Sequence, residues 1–283
     1  MPTRLRSWLF TPATRPERFA KAASVAADML IMDLEDSVAL ADKDRARSIA
    51  LQTLNAASDG PARVIRVNAL GTRTGLADLT DILESEVPPD LLLLPKVESP
   101  VQLQIIDRLL TEAGASTALV ALIESARGVD AAHESLSATP RLRAAMLGAA
   151  DLAADYGCDA RAPNLLIARA RLISAAARAG IDAIDSPWFD LHDDAGFQRD
   201  VEQAVEMGFV GKAAIHPRQV AAINSAFTPT AKQIEYARSV LAVNAAGVGL
   251  LDGAMIDEAV ARKARRVLAA ADLSTSPEGA HHG

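Results

Sequence analysis

Two carboxylates stand where short apolar runs of this chain end. Glu124 closes TALVALIES (117–125) but for a final serine, and Asp151 ends AAMLGAAD (144–151). Runs of Ala, Val, Leu and Ile whose first polar side chain comes at the end have the character of strands buried in a parallel sheet. If two such strands are neighbours, their ends lie about 4.8 Å apart. Carboxylates that close repel, and one takes up a proton unless a cation neutralises them. Magnesium suits the pair, because it commonly takes one or two protein carboxylates and fills its other positions with water and substrate oxygens. As an isolated pair they admit a plainer and more frequent reading, an Asp capping the next helix and a Glu in a surface ion pair.

Other polar groups recur at the ends of apolar runs: Thr11 and Arg15, then Asp33, Glu35 and Asp36, Arg66 and Asn68, Lys96 and Glu98, Asp185, and finally Lys212 and His216. Loops are wet, so polar strand ends alone decide nothing. Arg66 in RVIRVN and Lys96 in LLLLPKVES, however, lie inside or against apolar runs, where an unpaired cation is costly. Each needs an anionic partner. For Arg66 a substrate carboxylate is favoured, because its planar fork matches a carboxylate bidentately. For Lys96 a structural ion pair and a substrate contact stand equal. His216 in AIHP admits acid/base work or, more commonly, a hydrogen-bonded structural place. GFVGKA (208–213) and GVGLLDG (247–253) lack the spacing of phosphate and dinucleotide loops.

The elements that must position these groups are legible as an alternation. Strand-like runs at 5–10, 28–33, 62–68, 91–95, 117–124, 144–149, 181–185 and 210–215 are separated by about one strand-helix unit each. Helical periodicity is clearest over 43–57, 99–113, 163–179 and 193–207, with Pro163 expected at a helix start and Gly114 and Gly180 at helix ends. Asp193 and Asp194 suit a helix N-terminus. Eight alternating units predict a (β/α)8 TIM barrel, whose active site lies at the C-terminal ends of the strands. Helical patterns at 230–246 and 257–271, with a glycine-rich break at 245–253 between them, exceed what a barrel needs. The expected division is a barrel over 1–228, a helical extension over 229–273 that acts as a lid or crosses to another subunit, and a polar tail over 274–283.

The chain has 283 residues, half of them hydrophobic, and a net charge of −7 with the signs interspersed. That balance argues against a general nucleic-acid surface and leaves room for a local phosphate site. No apolar run approaches a membrane span, and the N-terminus lacks the pattern of a signal peptide. The single cysteine, Cys158, excludes an internal disulfide framework and fits a reducing cytoplasm, where structural burial is commoner than a nucleophilic role. His281 and His282 in the tail are left out of the reading of the fold.

The chain also resembles the HpcH/HpaI aldolase and citrate lyase β-subunit family, in its CitE-like members. The matching segments run in family order: RSWLFTPATRPERFAKA (6–22), MDLEDSVALADKDRAR (32–47), RVN (66–68), LPKVES (94–99), ALIES (121–125), LGAADLAADYG (147–157), GFVGKAAIHPRQV (208–220), NSAFTPT (224–230) and DGAMID (252–257). The resemblance implies a barrel that makes or breaks carbon–carbon bonds in acyl thioesters with Mg2+. It implies metal ligation by Glu124 and Asp151, a substrate-carboxylate contact from Arg66, and coenzyme A phosphates met by Arg15, Arg18 and Lys21. Asp257 matches an acid/base group that reaches the site of an adjacent subunit, which implies a homotrimer or a dimer of trimers. Glu35 and Asp36 would orient metal-bound waters.

Two departures stand out: TPAT in the first loop where Val-Pro-Gly is common, and Glu258 after the MID element where proline is common. With Asp257 present, the implied activity is cleavage or formation of a free β-hydroxyacyl-CoA such as malyl-CoA or citramalyl-CoA, giving acetyl-CoA and an α-oxo acid. Alternatives are a citrate lyase β-subunit on a carrier-bound citryl thioester, a 4-hydroxy-2-oxo acid aldolase, a malate-synthase-like condensation with thioester hydrolysis, and a barrel that binds without catalysis.

Overall fold

The computed structural model describes residues 4–55, 60–245 and 247–275. Residues 56–57 of one expected helix, 246 of another, and 276–283 of the tail with its two histidines lie outside them. The chain divides into two compact units, Met1–Asn224 and Ser225–Gly283.

In the first unit eight parallel strands close into a barrel in sequence order. They are β1 (Ser7–Pro12), β2 (Met29–Asp33), β3 (Ala62–Arg66), β4 (Leu91–Leu94), β5 (Ala118–Ile123), β6 (Leu142–Leu147), β7 (Asp182–Asp185) and β8 (Gly211–Ala214). The helices are α1 (Phe19–Ser24), α2 (Lys43–Asn55), α3 (Arg73–Leu83), α4 (Pro100–Glu112), α5 (Ala126–Ser135), α6 (Ala149–Tyr156), α7 (Leu165–Ala179), α8 (Asp194–Met207) and α9 (Pro217–Ala226). All eight expected strands are present. Helices α2, α4, α7 and α8 are those expected from periodicity, and α1, α3, α5, α6 and α9 are additional.

Side chains alternate across each strand, so each strand has one residue set inside the barrel and one facing the helices. Trp8, Met29, Ile31, Val64, Leu91, Leu93, Val120, Leu122, Ala144, Met146, Ile184 and Ala213 fill the interior. The same parity carries Asp33, Arg66 and Glu124 to the inner side at the C-terminal mouth. Asp185 and Lys212 have the opposite parity from Ile184 and Ala213. They therefore leave the set of mouth residues expected from the sequence and join a buried ion quartet behind the barrel. Lys212 Nζ lies 2.6 Å from Asp185 Oδ2 and 2.5 Å from Asp200 Oδ2, and Arg169 Nη2 bonds both carboxylates at 2.8 and 2.7 Å. The quartet ties α7 and α8 to β7 and β8.

Local chemistry explains the helix ends. Thr72, Ser99, Ser125 and Asp193 each accept a backbone N–H of the turn they open. Gly114 and Gly180 take left-handed φ of +66° and +71° at helix ends. Pro163 does not open its helix: α7 begins two residues later, after a run of i→i−3 turns in which Leu165, Leu166 and Ile167 donate to Ala162, Pro163 and Asn164.

The second unit holds α10 (Ala231–Ala245), β9 (Gly249–Leu251), β10 (Ala254–Ile256) and α11 (Glu258–Thr275). The glycine-rich segment read as a break is an antiparallel hairpin, with Leu251 opposite Ala254. Its turn residues Asp252 and Gly253 both have positive φ, +50° and +79°. Asp-Gly between apolar residues is the signal for that turn, and it was present in LLDGAM. No described helix is long and apolar enough to cross a membrane.

Removing the charge of Lys212 leaves two buried carboxylates and the Ser186 carbonyl short of a donor. Lys212→Met should cost about 3–5 kcal/mol of stability, the range for breaking a buried pair from one side. Equilibrium urea denaturation measures it, and a loss within that of a surface pair would show that the quartet is not a barrel clamp.

Candidate active site

The mouth of the barrel is built around Asp33. Its carboxylate takes the Arg66 fork, Nε to Oδ1 at 2.6 Å and Nη2 to Oδ2 at 2.7 Å, and also accepts the backbone N–H of Glu35 and of Ser37. Burial alone would raise the Asp33 pKa, but the bonds and charge of Arg66 hold it below the ordinary carboxylate value. From the sequence the Arg66 fork is expected on a substrate carboxylate bidentately. In the structure Asp33 on the neighbouring strand takes the Nε–Nη2 edge of that fork. Arg66 keeps Nη1 toward Glu35 Oε2 at 3.0 Å and Asp36 Oδ2 at 3.3 Å, and stacks over the Phe10 ring at 4.9 Å. Only its outer nitrogens remain for a ligand.

Glu35 sits on the loop that Asp33 shapes. Lys43, at the start of α2, donates to the Leu34 and Glu35 carbonyls at 2.7 and 2.6 Å and fixes the same loop from the other side. Glu35 Oε2 is buried and makes no hydrogen bond; Arg66 Nη1 is within ion-pair distance but off the bonding direction. Burial lifts Glu35 to about 7, with Arg66 opposing the rise and Asp36 adding to it.

Glu124 follows directly on β5. Its Oε1 accepts the Lys96 N–H at 2.9 Å. Gly148, after β6, makes room for it: a Cβ there would stand 2.5 Å from Glu124 Cβ and 2.6 Å from Oε2. Burial, then the negative charges of Glu35 and Asp151, raise Glu124 to about 8. Asp151 does not lie at the strand end, as its apolar run suggests. β6 stops at Leu147, and Asp151 occupies the first turn of α6, half-exposed. The helix start swings it back over the mouth, where Lys96 Nζ bonds its Oδ2 at 2.6 Å.

Glu35, Asp36, Arg66, Lys96, Glu124 and Asp151 are thus joined through one network of contacts and mutual charge. Arg15, Arg18 and Lys21 are exposed on the turn and helix after β1, with Arg15 3.8 Å from Glu17. Among the described residues they make no ion pair with the network. His216 is exposed and accepts the Arg218 N–H at Nδ1. Asp257, in the second unit, caps α11 by accepting the Val260 N–H at 3.0 Å. A cleft of about 590 Å³ lies beside the mouth, lined by Leu147, Ala149, Arg161, Trp188 and Phe189 among others. Asp33 stands among the polar strand ends of the sequence, where its role as the partner of Arg66 is not visible, and Lys43 and Gly148 are supports with no such sign.

Among the described residues no group of three or more His, Cys, Asp or Glu is arranged to hold a metal ion. Magnesium does not require one, since it often keeps two carboxylates and several waters. The donor set fits it: hard oxygens from Glu124 and Asp151, an unbonded buried Glu35 oxygen, and carboxyl pKa values raised by burial first and then by neighbouring negative charge.

Because the folded Glu124 binds a proton more tightly than its ordinary value of 4.5 implies, ionising it costs stability. The stabilising contribution is complete below pH 4.5 and is lost as pH rises to about 8. In chelator, Glu124→Gln should therefore melt higher than the parent at pH 8, with the gap closing toward pH 5. Calorimetry at the two pH values checks this, and magnesium at pH 8 should recover part of the parent's deficit. Equal melting of the two proteins at pH 8 would mean that Glu124 is adequately neutralised by its own neighbours.

Comparison with known proteins agrees with this geometry. The family model described as HpcH/HpaI aldolase/citrate lyase matches residues 6–217, and a model for carbon–carbon bond lyases of the TIM-barrel fold matches 164–274. The citrate lyase subunit beta of Escherichia coli K12 is 35% identical over 95% of this chain and 94% of its own length. An L-malyl-CoA/beta-methylmalyl-CoA lyase of Cereibacter sphaeroides is 34% identical over 95% of each. The solved structure of CitE from Mycobacterium tuberculosis, in complex with magnesium, acetoacetate and coenzyme A, superposes with a TM-score of 0.81 at 33% identity. It covers 96% of this chain and all of that one. With a closed eight-stranded barrel, a carboxylate pair at its mouth and matches along nearly its whole length, the chain belongs to the HpcH/HpaI aldolase/citrate lyase family.

Proposed function

We propose that the protein is a magnesium-dependent carbon–carbon lyase acting on a free β-hydroxyacyl-CoA, such as malyl-CoA or citramalyl-CoA, to give acetyl-CoA and an α-oxo acid. The observation that carries this is buried Glu124, whose negative charge is opposed by that of Glu35 and Asp151 and which is flanked by Arg66 and Lys96. Such a site favours a divalent cation and, with it, a ligand that brings a carboxylate.

Glu124 and Asp151 would hold magnesium, which when bound supplies positive charge to the substrate oxygens where negative charge develops. Glu35 and Asp36 would orient water around it. Arg66 meets the carboxylate with its outer nitrogens, while Asp33 keeps the guanidinium plane fixed. The hydroxyl passes its proton to water at the mouth, its carbon becomes the keto carbon of the oxo acid, and the carbon–carbon bond breaks. The bonding pair passes to the carbon beside the thioester. Asp257 gives that carbon its proton, and removes one from acetyl-CoA in the reverse direction. Arg15, Arg18 and Lys21, exposed on the first loop, suit the phosphates of coenzyme A. Lys96 is a further candidate for contact with the substrate.

Asp257 belongs to a helical unit past the last barrel strand, and we propose that it serves the mouth of a neighbouring barrel in a homotrimer or dimer of trimers. The hairpin before it supports an interface: Val248, Leu250 and Met255 are 75%, 73% and 65% exposed, an apolar strip that association would cover.

A screen of CoA thioesters with magnesium, following release of acetyl-CoA and oxo acid, tests the activity. Turnover of 4-hydroxy-2-oxo acids without coenzyme A would make the protein an aldolase instead, and release of free CoA would point to thioester hydrolysis. Asp151→Asn and Asp257→Ala should each lower turnover by orders of magnitude. Mixed oligomers of the two inactive variants should regain activity where an intact Asp257 meets an intact Asp151 of another chain. Mixed oligomers that form and stay inactive would return Asp257 to its own barrel or to the role of a helix cap alone.

A further inference from the structure

We infer that the Lys96 ammonium is a built-in competitor for the divalent cation at Asp151, so that a residue outside the ligand set tunes how tightly the ion is held. The inference rests on the metal-site reading above and goes beyond it.

Lys96 follows Pro95 at the end of β4 with φ of +51°, a left-handed conformation that side-chain-bearing residues adopt at a cost. The turn is held from behind, where Gln102 Nε2 donates to the Lys96 carbonyl at 3.1 Å and Gln102 Oε1 accepts the Glu98 N–H at 2.7 Å. In this conformation one residue reaches both carboxylates of the pair. Its backbone N–H bonds Glu124 Oε1 at 2.9 Å, and its ammonium bonds Asp151 Oδ2 at 2.6 Å.

The two contacts act differently on a metal. The N–H to Glu124 is a neutral donor that orients the carboxylate and leaves its second oxygen free. The ammonium is a full positive charge on one of the two oxygens Asp151 has to offer a divalent cation. A cation arriving at Asp151 must displace it or tolerate it as a like charge nearby. The Lys96 and Asp151 side chains are 47% and 38% exposed, so the pair is weak enough to be opened by an ion from solvent. Lys96 thereby keeps Asp151 neutralised and placed, and once displaced its long side chain carries a cation to whatever anion shares the mouth. A purely structural ion pair makes the opposite demand, since its loss would misplace Asp151 and weaken the metal.

Lys96→Met separates the two contacts: it keeps the backbone N–H and the side-chain length and removes only the charge. Magnesium titrated into the full-length protein without substrate, at fixed pH and ionic strength, gives the Kd by calorimetry. Lys96→Met should bind magnesium roughly three- to tenfold more tightly than the parent, the scale of losing one half-exposed opposing charge. Lys96→Arg, which keeps the charge, should stay near the parent value, and Asp151→Asn should bind more weakly. If Lys96→Met fails to fold, Lys96→Gly carries the same expectation and relieves the positive φ. Unchanged or weaker binding in the neutral variants, beside a parent whose binding Asp151→Asn does impair, would overturn this inference and leave the metal site standing. Absence of Asp151-dependent binding in the parent and in both neutral variants would overturn the metal site and this inference together.

Discussion

Negative charge buried at the mouth of the barrel is the constraint on which the rest of the arrangement depends. A carboxylate taken out of water must be paired, bonded or protonated. Asp33 is paired, by a bidentate ion pair with Arg66 across neighbouring strands. That pair shapes the following loop through the Glu35 and Ser37 amides and leaves Arg66 able to offer only its outer edge. Glu35 and Glu124 are less well matched, and burial together with neighbouring negative charge lifts them to about 7 and 8. The mouth is therefore satisfied as scaffold and unsatisfied as a binding site. Arg66 neutralises Asp33 and Lys96 meets Asp151, while Glu35 and Glu124 are held in place with their charge uncompensated, which suits a hard cation.

The same strands solve the opposite problem on their other face. Asp185 and Lys212 are register partners on adjacent strands, as Asp33 and Arg66 are, yet their parity turns them toward the helices. There Arg169 and Asp200 complete a quartet in which each charge has a partner of opposite sign. A closed quartet with no unbalanced charge has nothing to offer a ligand and much to offer rigidity. Two clusters of similar composition thus differ in role through a one-residue shift in facing.

Local rules are broken where chemistry is expected. Lys96 holds a left-handed backbone at the one place where a single residue can reach both Glu124 and Asp151. Glu35 keeps a buried oxygen without a hydrogen bond. Gly148 gives up a side chain so that Glu124 can occupy its volume. Such exceptions persist only where surrounding structure over-determines them, and they gather at functional sites.

The order of strands and the barrel itself were legible in the sequence, because apolar runs alternating with helical periods admit few closed arrangements. Glu124 was legible for the same reason, standing at the end of an unbroken apolar strand. The hairpin after α10 is written in its Asp-Gly turn, among glycines that by themselves read as a break. Tertiary structure alone decided the rest. Asp151 reaches the mouth from a helical turn, and no feature of AAMLGAAD distinguishes that from a strand end. Arg66 shows a cation needing a partner; that the partner is Asp33, far away in sequence, follows only from the pairing of β2 with β3. Sequence determines which residues each element contains and with what period. Which charges meet, and which remain uncompensated, depends on closure of the barrel, because only closure brings the ends of distant strands within a few ångströms of each other.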